Sequence, residues 1–242
     1  DHAQRSIPPP RIPAHRDPRS AAPPPRSRDA ALWHVVVPVG SFSATEALVL
    51  VNLLVAAVLV AWLGSEYSTR IHAWVTEGWY DVRDNHAVWR WVPTLFIHAD
   101  SGHLFRNLIS LVAGAAALEF MTGRLRTVAV YLLAGLSGAW LSYAGHGGPP
   151  LSIGASGAIY GLAGAGFAFV IRRRALFSYR QRWKALRVYV PLYVLMFAPS
   201  LFHADYFAHV GGLLGGLVLG GWLPPHPRLR ALAEAADADR DL

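Results

Sequence analysis

The pattern of apolar and polar positions divides the chain into two polar ends and six apolar segments, at approximately 47–63, 104–121, 127–144, 156–171, 186–202 and 207–223. Several of these are 16 to 18 residues long, near the lower limit for crossing a hydrocarbon core of about 30 Å. Backbone N–H and C=O groups find no water to bond in lipid, so the segments are predicted helices rather than strands. Ser43 and Glu46 have the spacing of a capping box ahead of the first one. The predicted fold class is an all-α membrane protein, a six-helix bundle spanning residues 47–223.

The two ends read differently. Residues 1–30 hold eight of the seventeen prolines and six arginines. Such a segment buries too little apolar surface to offset its ordering entropy and is predicted to be a disordered tail. Its charge suits docking to anionic lipid headgroups. Residues 31–46 form a pre-membrane segment. Residues 224–242 form a short tail, partly helical in pattern, for which no part in the chemistry is predicted.

Composition supports the membrane reading and charge orients it. The chain is 53% hydrophobic and 15% charged, against about 25% charged in an ordinary soluble domain. The net charge of +7 is nearly all arginine, Lys184 being the single lysine. In a soluble protein this would suggest nucleic-acid binding; here the arginines mark topology instead, and no nucleic-acid partner is expected. They gather in the amino-terminal tail, at Arg124 and Arg126, from Arg172 to Arg187, and at Arg228 and Arg230, whereas residues 145–155 carry no charged side chain. The positive-inside rule then predicts cytoplasmic termini and six crossings. Arginine-rich, lysine-poor usage suggests a GC-rich bacterial genome, hence the cytoplasmic (inner) membrane. The absence of cysteine excludes disulfides, cysteine-ligated zinc and a thiol nucleophile. The long outer connection, 64–102, contains Trp74, Trp79, Trp89 and Trp91 and is predicted to lie in the membrane interface, the alternative being an ordinary aromatic belt.

With this topology, several polar residues share one depth. Ser156 opens the fourth apolar segment, in the run SIGASGAIYGLAGA, and His209 lies just inside the outer end of the sixth. The second segment enters through HADSGHLFRN, which brings in His98, His103 and Asn107. His103 and Asn107, four apart, share a helix face. From Ser156 to Ile171 is 16 residues, about 24 Å of helix, so the serine is predicted to sit several ångströms below the outer surface. Polar groups at that depth are costly unless they pair or work. A serine needs a base, and His209 is the candidate. An oxyanion needs donors, and His103, Asn107 and the Ser156 N–H can provide them. Gly154 and Gly157 allow the sharp turn that exposes that N–H. Gly157 and Gly161, and likewise Gly212 and Gly216, are four apart and are read as a close helix–helix contact. Ala158 breaks the G-x-S-x-G elbow of α/β-hydrolases, and no HExxH occurs.

On these residues the chain resembles the rhomboid intramembrane serine proteases over about residues 64–223. GASG at 154–157 with Tyr160 is similar to the family's nucleophile motif, and AHVGGLLGG at 208–216 to its catalytic-histidine helix. HADSGHLFRN resembles its second-helix motif, and Trp89-Arg90 its tryptophan–arginine pair. The resemblance implies a Ser156–His209 dyad without an essential aspartate, with His103 and Asn107 as oxyanion-hole donors. It also implies His98 as a structural support and Tyr160 stacking beside His209. The expected activity is hydrolysis of peptide bonds in or near transmembrane helices of membrane-protein substrates, without a cofactor. Two alternatives stand beside it. One is a catalytically silent binder of membrane helices. The other is a metal site drawn from His98, Asp100, His103, His203, Asp205 and His209. Asp205 has the spacing of a third triad member but is expected to be an exposed loop acid.

Overall fold

The computed structural model describes residues 43–148, 153–177, 179, 182–183 and 205–238. Among these the chain is helical and has no strand. Helix α1, Ala44–Leu63, begins at Ser43, whose Oγ accepts from the Glu46 N–H at 3.1 Å while Glu46 Oε2 accepts from the Ser43 N–H at 2.7 Å. That is the capping box read from the sequence. Most of α1 is apolar on all sides, and Leu54, Val58 and Trp62 are exposed, as suits a helix facing lipid. A 3₁₀ turn at Gly64–Glu66 passes directly into α2, Tyr67–Asn85. The outer connection is thus largely helical. A second 3₁₀ turn, Val88–Arg90, and the short α3, Trp91–Thr94, lead to α4, Ser101–Thr122. Then follow α5, Arg124–Gly145, α6, Ser156–Arg172, α7, Tyr206–Trp222, and α8, Pro227–Ala238.

Helix α4 starts three residues before its apolar run because Asp100 caps it, accepting from the His103 N–H at 2.8 Å. By length and composition α4, α5 and the stretch containing α1 are each sufficient to cross a membrane. Helix α7 qualifies together with α8, with a bend of 62° between them, and α6 is a shorter apolar helix of 17 residues. The fifth apolar segment, 186–202, lies outside the described residues, as do the tail 1–30 and His203.

Helix α6 is the centre of the bundle. Its Ala158, Ile159, Leu162 and Phe169 form one core with Leu111 and Leu118 of α4 and Val130, Tyr131 and Ala134 of α5. Its other side meets α7 through small residues. A Cβ added at Gly212 would lie 2.0 Å from the Gly157 carbonyl oxygen, and one at Gly216 2.0 Å from that of Gly161. At Gly220 the same construction reaches the Ala165 oxygen at 2.2 Å. Backbone therefore lies on backbone along three successive turns, the geometry small residues allow between helices in lipid. Helix α5 closes on the opposite side of α7, where Ser137 Oγ donates to the Gly211 carbonyl at 2.9 Å.

The opposite end of the bundle is fixed by a carboxylate. Glu119 of α4 accepts from the N–H groups of Ala44 and Thr45 at 3.0 and 2.9 Å and from Thr45 Oγ1 at 2.7 Å. These N–H groups belong to the first turn of α1 and have no partner within their own helix, and the carboxylate also complements the helix dipole. The carboxy-terminal segment is not a loose tail. Leu229 of α8 is buried in the main core, and the His226 N–H donates to the Met121 carbonyl at 2.8 Å. Apolar side chains on one face of α8, Leu229 and Ala233, are the reason it docks.

Gly216→Val places a branched side chain against backbone that cannot move aside and is expected to destabilise by about 1–3 kcal/mol or more, read as a lowered midpoint in a detergent unfolding titration. Gly221→Ala, at a position with open space around it, is expected to leave the unfolding midpoint unchanged in the same detergent titration. Glu119→Gln substitutes a donor for one acceptor oxygen and is expected to cost about 1–3 kcal/mol. An unchanged midpoint would remove the carboxylate's role as the cap of α1.

Candidate active site

Ser156 is the first residue of α6, and His209 lies in the first turn of α7. His209 Nε2 is 2.9 Å from Ser156 Oγ, hydrogen-bond distance, and the His209 side chain is buried. The approach depends on the small-residue seam described above. Gly157 follows the serine, and the Ala208 carbonyl oxygen is 3.2 Å from where a Cβ on Gly157 would sit. Tyr160, one turn along α6, stacks on the imidazole with ring centroids 4.5 Å apart and planes inclined at 36°. It limits the tilt of the ring.

The turn ahead of Ser156 is held from two sides. Gly154 has φ +104°, a conformation that L side chains rarely adopt, and its N–H donates to the Thr94 carbonyl at 2.9 Å. The next residue, Ala155, donates its N–H to His98 Nε2 at 3.5 Å, while His98 Nδ1 lies 3.2 Å from the Phe96 carbonyl oxygen. One neutral tautomer satisfies both contacts, with the proton on Nδ1 and the lone pair on Nε2. Tyr67 Oη donates to the His98 carbonyl, which ties α2 to the same loop. His98 thus occupies a supporting position.

His103 and Asn107 come in from α4. A Cβ on Gly154 would collide with the His103 imidazole, 2.8 Å from Cε1 and 2.9 Å from Nε2, and would lie 3.2 Å from Asn107 Nδ2. Both side chains therefore converge on the turn beside Ser156. Asn107 is 2% exposed, and its Nδ2 has no hydrogen-bond partner among the described residues. The Ser156 N–H, at the start of a helix, also lacks an intrahelical acceptor. Donors thus converge near the turn that carries the serine. That arrangement can receive a negatively charged oxygen.

Arg90 is placed elsewhere. Its Nη2 pairs with Asp81 Oδ2 at 2.5 Å, and its guanidinium carbon lies 5.2 and 5.4 Å from the ring centres of Trp74 and Trp89. The Trp89–Arg90 pair braces the outer segment. Trp89 is exposed, whereas Trp74, Trp79 and Trp91 are half-buried. Trp79 and Trp91 both pack on Tyr143 of α5, with ring centroids 6.0 and 5.9 Å apart.

Asp205 corrects the expectation of an exposed loop acid. Its side chain is 6% exposed. Its Oδ1 accepts from the Ala208 N–H at 3.0 Å, capping α7, and its Oδ2 accepts from Ser142 Oγ of α5. An aspartate immediately before an apolar helical run is an N-cap signal that the triad spacing obscured; the Ser142 contact has no signal in sequence. Asp100 is likewise committed to capping α4. Among the described residues no group of three His, Asp or Glu side chains is arranged to hold a metal ion.

Residues 85–225 match the family described as Rhomboid domain. The chain is 32% identical over 136 residues to RHOMBOID-like protein 1 of Arabidopsis thaliana, covering 56% of this chain and 34% of that protein. It is 34% identical over 132 residues to the putative rhomboid protease YdcA of Bacillus subtilis (strain 168), covering 54% and 65%. It is also 30% identical over 155 residues to the inactive RHOMBOID-like protein 8 of Arabidopsis thaliana, covering 64% and 43%. The chain therefore spans between about a third and two thirds of the length of these relatives. No solved structure gives a significant match. A family match over more than half the chain, on an all-helical apolar bundle, makes this an integral membrane protein of the Rhomboid domain family.

Proposed function

We propose that the protein is an intramembrane serine endopeptidase that cleaves peptide bonds in or near the transmembrane helices of membrane-protein substrates. The observation that carries this reading is the 2.9 Å approach of His209 Nε2 to Ser156 Oγ, beside donors that converge on Gly154. In the first step Ser156 Oγ attacks the scissile carbonyl carbon as its proton passes to His209 Nε2. The carbonyl oxygen takes up the negative charge, and Asn107 Nδ2, His103 and the Ser156 N–H donate to it. His209 then delivers the proton to the leaving amine nitrogen as the C–N bond breaks, giving an acyl-serine. A water molecule, deprotonated by His209, attacks the acyl carbon and regenerates the serine. Asp205 takes no proton in this scheme; its carboxylate is committed to capping the helix that carries the base.

Six crossings with cytoplasmic termini, supported by the arginine distribution, make the Ser156 end open to the outer side. The bacterial cytoplasmic membrane fits the arginine-rich composition. A second reading, a silent helix binder, is favoured by the similarity to the inactive RHOMBOID-like protein 8. The presence of both Ser156 and His209 within hydrogen-bond distance supports the active enzyme instead.

A serine-reactive phosphonate is expected to label the protein covalently, Ser156→Ala to abolish the label and His209→Ala to reduce it strongly; label retained in Ser156→Ala would overturn the proposal. In a reconstituted assay with a transmembrane reporter, cleavage is expected to be insensitive to chelators, and absence of any cut product would favour the silent binder. Asn107→Ala or His103→Ala is expected to lower turnover by about 10²-fold if these groups stabilise the oxyanion, with label still forming on Ser156. Wild-type turnover would remove that role.

A further inference from the structure

At the same end of the bundle as Ser156, α2, the Val88–Arg90 turn, α3 and α5 enclose a cleft that takes no part in the proposed chemistry. It is lined by Trp74, Gly78, Trp79, Arg90, Trp91 and Tyr143, among others, and its volume is ≈ 40 Å³. That is room for about three water-sized groups. Arg90 Nε, Arg90 Nη1 and Trp79 Nε1 are buried and have no hydrogen-bond partner among the described residues. Guanidinium and indole groups only donate, so the cleft presents several donors and calls for an acceptor-rich occupant. Buried donors of this kind are costly to leave unpaired, and the Asp81 pair satisfies one end of the guanidinium alone. Gly78 keeps the space clear, since a Cβ there would lie 3.3 Å from Arg90 Cδ and 3.6 Å from Nη1.

We propose that this cleft binds the phosphate group of a membrane phospholipid. The phosphate oxygens supply several acceptors to Arg90 and Trp79, the chemistry for which guanidinium groups are suited. The surroundings select a lipid over a free anion. Val88, Trp89 and Val92 beside the cleft are exposed apolar side chains, where a glycerol and its acyl chains can lie. The lining also includes three tryptophans and Tyr143, residue types that favour the headgroup level of a bilayer. The site needs neither Ser156 nor His209, so the proposal stands or falls independently of the protease reading.

The test uses the purified full chain in mild detergent and compares three probes by native mass spectrometry and thermal shift. Dioleoylphosphatidylglycerol is expected to bind saturably and raise the unfolding temperature. Dioleoylglycerol, with the same chains and no phosphate, is expected to do neither, and millimolar inorganic phosphate is expected not to displace the phospholipid. Trp79→Phe, which removes one N–H while keeping the ring, is expected to weaken phospholipid binding about fivefold, and Arg90→Lys tenfold or more. Arg70→Gln, at an exposed arginine paired with Glu66, is expected to bind as the wild type does. Equal binding of dioleoylglycerol would overturn the proposal and leave water as the occupant. Displacement by inorganic phosphate would overturn the lipid assignment, and so would wild-type phospholipid affinity in a folded Trp79→Phe.

Discussion

The rest of the structure depends on the contact between α6 and α7, where glycine backbone lies directly on backbone. In lipid, helices gain little from burying apolar surface against each other, and close packing supplies much of what holds them together. At Gly212, Gly216 and Gly220 there is no space even for a methyl group, so the axes of these helices approach as closely as their main chains allow. The distance between Ser156 and His209 is a by-product of that approach. Neither residue needs a long side chain to reach the other, because the helices that carry them are already in contact. The site is thus as rigid as the seam.

Several polar groups at the two ends of this bundle are committed to helix ends and turns. At one end Glu119 collects the orphan N–H groups of α1, and Arg124 approaches the same carboxylate at 3.6 Å. At the other, Asp100 caps α4, Asp205 caps α7, and His98 holds the turn at Ala155. Some of the exceptions lie at sites. Asn107 Nδ2 and the Arg90 and Trp79 donors are buried without partners among the described residues, and a membrane protein tolerates such groups chiefly where something else is to be bound. The first lies beside the serine, and the others line a separate cleft.

The outer segment joins these regions mechanically. Arg90 holds α2 through Asp81 and the Trp74 ring, and Tyr67 of α2 bonds the His98 carbonyl. His98 in turn supports Ala155, next to the serine. A continuous set of contacts therefore runs from the aromatic cleft to the nucleophile turn.

Much of this was determined by the sequence alone, because a bilayer leaves few choices. Apolar run lengths placed α1, α4, α5, α6 and α7 to within a few residues, since a helix in lipid ends where polar residues and caps begin. The Ser43–Glu46 box was legible because capping is local. Ser156, His209, His103 and Asn107 stand out because polar residues in or at the outer ends of the apolar segments are few, whereas Tyr160 and the supporting place of His98 come from the family resemblance. What the sequence did not contain was which long-range partner each polar group would take. Glu119 on α1, Ser142 on Asp205 and the packing of Trp79 and Trp91 on Tyr143 join residues dozens of positions apart. So does the docking of Leu229 into the core. The patterns along the chain report burial and helix ends, which are decided within a few turns; the pairing of distant side chains is decided only by how the finished helices pack.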